Sequence, residues 1–249
     1  MIAPADIEAI ERATLAAVAP EKMVEFDGWL IGLDPGSIRR AASAVPLSHD
    51  LVANVEQLGQ IEIAFQERGL TPAFRLADRA GLEPVAEALA RRGYVSEQPT
   101  LVMIAQVPEV IGIGDLPPAD VGTRPDQAWA SVFLGEGFDA VDGAYRVKAL
   151  SRSLDARFGQ VVVGGRTVAV GSGSYCHGWA SFHGMRTEMA QRGKGYGARV
   201  LAGLALEARS RGIGRAFLQV EESNTSAQAL YRRVGFETAW RYLYWSRRA

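Results

Sequence analysis

The sequence predicts an α/β protein built in two related halves. Three observations carry this. Strand-like and helix-like periodicities alternate along the 249 residues. A glycine-rich turn, Arg192-Gly193-Lys194-Gly195-Tyr196-Gly197-Ala198, follows a strand read over 179–185. It opens an amphipathic helix with Val200, Leu201, Leu204, Ala205 and Ala208 on one face. Finally, the chain echoes itself. A strand at Phe74 leads to Ala86–Tyr94, and a strand at Phe217 leads to Ala227–Phe236. Both segments run through an arginine pair to a glycine and an aromatic.

Composition bounds the class. The chain is 48% hydrophobic and 22% charged, with net charge −1, enough for one large globular domain or two small ones. It has no basic surplus for nucleic acid or an anionic membrane. The one cysteine, Cys176, cannot form an internal disulfide and reads as a small buried strand residue. A reducing cytoplasm is the expected compartment. Acids at Asp6, Glu8 and Glu11 stand where a secretory leader would be basic, and no apolar run reaches membrane-spanning length. No metal site is expected.

Taken in order, residues 4–18 read as a helix, with Pro4 in the first turn and Ile7, Ile10, Leu15 and Val18 on its apolar face. A hairpin over 23–26 and 29–33 turns at Asp27-Gly28. The stretch 37–46 carries Arg39 and Arg40, which could face an anion but are expected as a solvated surface pair. A helix over 50–68 ends at Gly69. Then come a strand at 72–77, a helix at 83–92, and strands near 94–96 and 100–107. Residues 112–125 hold turn formers and three prolines. They are expected to link a first module (1–111) to a second (126–249). The second opens with a helix at 125–134, a loop at 135–143 and a helix at 144–157, followed by a hairpin around Gly164-Gly165. A strand at 216–221, a helix after Asn224 and an alternating strand at 240–245 complete it. The aromatics of that last strand either pack or face a ligand, and packing is favoured.

The glycine-rich turn has the chemistry of a phosphate cradle. Glycines let the backbone approach a ligand, the first helical N–H groups lack partners, and Arg192 and Lys194 add charge. A Walker A motif fails, because Lys194 is followed by Gly195. A dinucleotide fingerprint fits Gly193, Gly195 and Ala198, with Glu221 and Glu222 downstream. However, residues 187–192 are too polar for the end of a buried parallel strand. A nicotinamide-dependent enzyme is therefore a third-ranked reading.

Arg192-Gly193-Lys194-Gly195-Tyr196-Gly197 fits a third pattern, [QR]-x-x-G-x-G/A. Asn224 and then Ala229-Leu230-Tyr231 with Gly235-Phe236 follow at the right distance. Together these blocks resemble the GNAT (GCN5-related N-acetyltransferase) superfamily, specifically over 179–237 and more loosely over 120–249. The resemblance implies a mixed, mostly antiparallel sheet flanked by helices and splayed at an acyl-CoA site, in tandem modules of which the first is degenerate and supplies one wall of the substrate cleft. It implies acetyl-CoA as acyl donor, held by Met185, Arg186 and Thr187 on the strand, by Arg192, Gly193, Lys194, Gly195, Tyr196, Gly197 and Ala198 at the turn, and by Asn224. Asn224 serves equally well as a helix N-cap. Tyr231 is the implied general acid for the leaving thiolate, or else a buried tyrosine. Some family members carry a Glu where this chain has Gln219, which cannot take a proton. Either Glu221, Glu222 or His183 is then the base, or a water chain serves, or the amine arrives already neutral. Phe138, Asp139, Asp142 and Tyr145 are candidates to contact the acceptor.

The expected activity is transfer of acetyl from acetyl-CoA to a primary amine of a small molecule, amino acid or peptide, by a monomer or homodimer. The alternative is a non-catalytic acyl-CoA-binding sensor or interaction module.

Overall fold

The computed structural model describes residues 2–50, 55–112, 116–135, 139–153 and 155–247, with backbone alone at 55, 133 and 140. Helix α1 (Pro4–Val18) begins at its proline and buries Ile7, Ile10, Leu15 and Val18. Strands β1 (Lys22–Phe26) and β2 (Trp29–Leu33) form the expected hairpin. Asp27 (φ 46°) and Gly28 (φ 81°) both adopt the positive φ of a type I′ turn. β3 (Ala44–Pro46) escapes sequence reading because three residues carry no period. α2 (Val55–Gln66) ends where Gly69 turns left-handed at φ 67°. β4 (Ala73–Ala77) and α3 (Glu83–Arg91) follow.

The two strands expected near 94–96 and 100–107 are one, β5 (Val95–Gln106). Gln98 at φ 51° absorbs the irregularity at Pro99, so the strand bends without ending. The stretch read as a linker is flanked by α4 (Val107–Ile111) and contains β6 (Asp120–Gly122). Its chain is tied down where the Ala119 amide donates to the Arg199 carbonyl at 2.9 Å. α5 (Gln127–Phe133) precedes α6 (Ala140–Ser151), which starts four residues earlier than expected because Asp139 caps it, accepting from the Asp142 amide at 2.8 Å. β7 (Ala156–Val163) and β8 (Arg166–Cys176) turn at Gly164-Gly165. β9 (Trp179–Thr187), α7 (Tyr196–Ser210), β10 (Arg215–Glu221), α8 (Thr225–Arg233) and β11 (Glu237–Ser246) complete the order.

Among the described residues all the strands join one sheet, ordered β1-β2-β3-β4-β11-β5-β10-β9-β8-β7-β6 and mostly antiparallel. Its centre is an exchange. β11 lies between β4 and β5, and β5 lies between β11 and β10. Each strand–helix–strand echo thus inserts its last strand into the other. The core follows the same logic. Trp240, Tyr242 and Tyr244 of β11 are buried with Trp29, Phe74 and Leu76 from the N-terminal half. A buried ion pair, Arg75 to Glu11 at 2.6 Å, lies beneath β11 with Arg75 5.0 Å from the Tyr242 ring centroid.

The parallel pairs are β3–β4 and β9–β10. The second holds only at Ala216–Ala180, Phe217–Ser181 and Leu218–Phe182, although both strands continue. The cause lies in β9. Against β8 it pairs His183 with Ser172 and then Arg186 with Val170, so one extra residue is inserted, with Gly184 at φ 61°. This bulge turns β9 away from β10.

Candidate active site

The gap beyond Phe182 opens on a cleft of about 760 Å³. Its floor is Gly184, Met185, Arg186 and Thr187 of β9. One wall is the turn from Gln191 to Gly197, and the other is the start of α8 with Asn224 before it. Gly193 (φ 77°) and Gly195 (φ 81°) hold angles that a side chain resists. A Cβ placed on Gly193 would meet no atom within 4 Å, so the backbone there borders open space. Gly195 caps α7 without a side-chain hydrogen bond, which leaves the first helical N–H groups to the cleft. Gly197 lets the two helices meet, since a Cβ there would come within 2.9 Å of Leu230 Cδ2.

The cleft is cationic. Arg146, Arg186, Arg192 and Arg233 line it, and among the described residues no Asp or Glu does. Partial burial, and then the like charges of Arg192 and Arg146, hold Arg186 below its usual pKa. Such crowding favours an anion. Two residues of the expected cofactor set do not line the cleft. Lys194 turns outward and donates to Gln191 Oε1 at 2.8 Å, and Ala198 is buried in the core face of α7. Asn224 does cap α8: its Oδ1 accepts from the Ala227 amide at 3.1 Å and from Ser226 Oγ at 3.2 Å. Its amide nitrogen has no partner among the described residues, and the residue borders the cleft.

A second pocket, about 240 Å³, meets the first at Gly184, Met185 and Asn224. It is lined from both halves of the chain: Arg40, Gln98 and Thr100 from the first, and residues of β9, β10, α8 and β11 from the second. Tyr231 lines it, 7% exposed, with its pKa pushed up to about 12 by burial. The hydroxyl therefore keeps its proton at neutral pH. Gln219 is locked, its Nε2 donating to Thr14 Oγ1 at 3.0 Å and its Oε1 accepting from Tyr242 at 3.2 Å. His183 is 5% exposed, its Nε2 has no hydrogen-bond partner, and burial aided by the charge of Arg40 pushes its pKa down to about 3. So low a value makes His183 a neutral wall rather than a base. Glu221 lines the pocket and accepts from Gln98 Nε2 at 2.6 Å. Glu222 lies outside it, paired with Arg241 at 3.1 Å.

The residues of α6 singled out for the acceptor serve elsewhere. Asp139 caps the helix, Asp142 pairs with Arg146 at 2.8 Å and accepts from Ser37, and Tyr145 donates to Asp34. Asp34 also pairs with Arg152 at 2.9 Å, so these contacts fasten α6 to the N-terminal half. None of the three lines the second pocket. Phe138 lies outside the described residues. Tyr175 donates to the Leu204 carbonyl at 2.9 Å, and His177 sits in the β8–β9 turn at φ 53°. Cys176 is half-buried, its thiol pKa raised by burial. The expected surface pair splits: Arg39 bonds Glu97 at 2.7 Å, whereas Arg40 lines the pocket. Sequence reading favoured a surface role for Arg40 and packing for Tyr242 and Tyr244, and gave Gln98 and Thr100 no role; all five line the pocket. The tyrosines were detectable, since alternation puts them on one face of β11. The dinucleotide reading falls with the topology, because β9 pairs antiparallel with β8 and the sheet is not doubly wound.

Comparison with known proteins agrees with this geometry. The profile of a family described as "Probable histone acetyltransferase Rv0428c C-terminal" matches residues 4–245. An uncharacterised N-acetyltransferase, YobR of Bacillus subtilis, is 26% identical over 241 residues, covering 93% of this chain and 94% of the relative. A GCN5-related N-acetyltransferase from Kribbella flavida superposes with a TM-score of 0.74 at 17% identity, over 98% of this chain and 96% of that one. A tandem GNAT protein from the clavulanic acid biosynthesis pathway superposes with a TM-score of 0.62 at 14% identity, over 97% and 92%. A profile that spans nearly the whole chain places the protein: it belongs to this acetyltransferase family, and its fold, with the sheet opened at β9 and β10 beside a glycine-built helix start, is that of the GNAT structures.

Proposed function

We propose that the chain transfers an acetyl group from acetyl-CoA to a primary amine of a small molecule, amino acid or peptide. The observation that carries this is the meeting of two pockets at Gly184, Met185 and Asn224. The cationic one suits a pyrophosphate and the polar one an acceptor. The residues fit the cofactor: the space beside Gly193 would take phosphate oxygens, the first α7 N–H groups would donate to them, and Arg192 and Arg186 would balance their charge. Acetyl-CoA, when bound, supplies a thioester carbonyl to the amine.

The chain's own work is positioning and charge control. The main chain at Met185–Thr187 runs where the pantetheine arm would lie. The side-chain nitrogen of Asn224 would donate to the cofactor. A C–N bond forms as the C–S bond breaks, and the departing sulfur takes the proton of Tyr231 Oη. The amine gives up its own proton, and Glu221, the one carboxylate lining the second pocket, receives it directly or through water. With acetyl-CoA and an amine panel, wild type should release thiol for one amine class, and Tyr231→Phe should lower that turnover ~100-fold.

A second reading is favoured by Gln219, which is locked between Thr14 and Tyr242 where some relatives carry a base. In that reading the chain binds acyl-CoA without turning it over. Tight acetyl-CoA binding with no thiol release across the panel would support it. Among the described residues no helix is long and apolar enough to cross a membrane.

A further inference from the structure

The second pocket holds an unspent charge. Arg40 reaches it from the turn before β3, and its Nε is buried with no hydrogen-bond partner. It forms no ion pair with any described residue, whereas its neighbour Arg39 is held by Glu97 and Gln98 and stacks 4.2 Å from the Tyr244 ring centroid. Arg40 is half-buried, and a guanidinium nitrogen buried without a partner is costly unless a ligand supplies one. His183, 5% exposed, lines the same pocket, and its Nε2 has no hydrogen-bond partner among the described residues. The charge of Arg40 is close enough to act on both His183 and Tyr244. The other charged residue of the lining is Glu221. The pocket thus presents one cation and one anion, and its volume lies below the ~300 Å³ at which drug-sized sites begin.

We propose that the acceptor is a small zwitterion, an amino acid whose carboxylate docks on Arg40 while its amino group points to the junction at Met185 and Asn224. This rests on the acetyltransferase reading above. Arg40 matches a carboxylate with two parallel N–H donors, which a lysine cannot do. Its charge also opposes a lysine-rich peptide, so the proposal separates the acceptor from the histone named in the family's description.

The test compares the common amino acids with their carboxamides and with a lysine-rich histone-tail peptide, on wild type, Arg40→Gln and Arg40→Lys. Thiol release is followed with acetyl-CoA, and calorimetry follows acceptor binding with CoA present and absent. At least one amino acid should exceed its carboxamide by about 30-fold in kcat/KM, the lower end expected for losing one partner of a buried charge pair. Arg40→Gln should abolish that preference through KM while leaving acetyl-CoA affinity unchanged, and Arg40→Lys should restore part of it. The proposal is overturned if carboxamides or the histone peptide are the better acceptors. It is equally overturned if Arg40→Gln affects acids and carboxamides alike, or if no amino acid binds at millimolar concentration. Amino acids that bind wild type but not Arg40→Gln, with no acetyl transfer, would sink the transferase reading and leave the carboxylate site standing.

Discussion

Replacing Gly193 by alanine separates the stability of the cradle from its function. Gly193 sits at φ 77°, where a Cβ meets no protein atom within 4 Å. The substitution therefore costs only the left-handed backbone penalty, about 1–2 kcal/mol. For a chain of this size, at roughly 2–4 °C per kcal/mol, that lowers Tm by roughly 2–8 °C. Gly69 is the matched control: it sits at φ 67°, with nothing within 4 Å of a Cβ, at the end of α2. Gly69→Ala should lower Tm by a similar amount. The two should part in calorimetry with acetyl-CoA. In Gly193→Ala the new methyl occupies the space assigned to phosphate, and affinity should fall ~10-fold or more, about 1.4 kcal/mol. Gly69→Ala should bind as wild type does. Equal affinities in the two variants would refute the placement of the pyrophosphate at Gly193, whatever their stabilities.

Other outcomes follow from the same geometry. Tyr231→Phe should leave acetyl-CoA affinity intact. In wild type, kcat should show no loss from tyrosine ionisation up to pH 10, because the hydroxyl titrates at about 12; stopped assays across pH check both. His183 titrates at about 3 and His49 at about 4 in the fold, against 6.5 when unfolded. Stability is thus fully present above pH 6.5 and is lost as pH falls towards those values. Moving from pH 6.5 to about pH 5 should cost about 1–2 kcal/mol for His183. Urea midpoints of wild type and His183→Gln at the two pH values measure it, and equal losses would remove His183 as the cause. Glu11→Ala strands Arg75 in the core and should destabilise by about 3–5 kcal/mol. A Glu11→Leu, Arg75→Leu double variant should recover most of that loss in denaturant titrations.

Much of the fold could be read from residues alone, where local chemistry punctuates it. Pro4 starts α1, Asp27-Gly28 turns the first hairpin, Gly69 stops α2, and Gly193 with Gly195 opens α7. The α/β class follows from the alternation of such segments. What stayed hidden lacks a period or depends on distant partners. β3 and β6 have three residues each, too few for alternation to appear. β5 looked like two strands because Pro99 interrupts the pattern, and only its pairing with β11 shows it to be one. The cleft-lining glycines and Asn224 were legible because the angles and caps they supply are local. Arg40 was not: in sequence it is one of two adjacent arginines in a turn, and only the fold sends it inward and its neighbour outward.

The exchange of β11 and β5 imposes an order on synthesis. Until residues 237–246 leave the ribosome, β4 and β5 have no partner to fill the slot between them. The N-terminal half must wait with two bare strand edges, the kind of surface on which nascent chains stick to one another. The aromatic strand that closes the slot also carries Tyr242 and Tyr244 into the second pocket, so that pocket is finished only once β11 is in place.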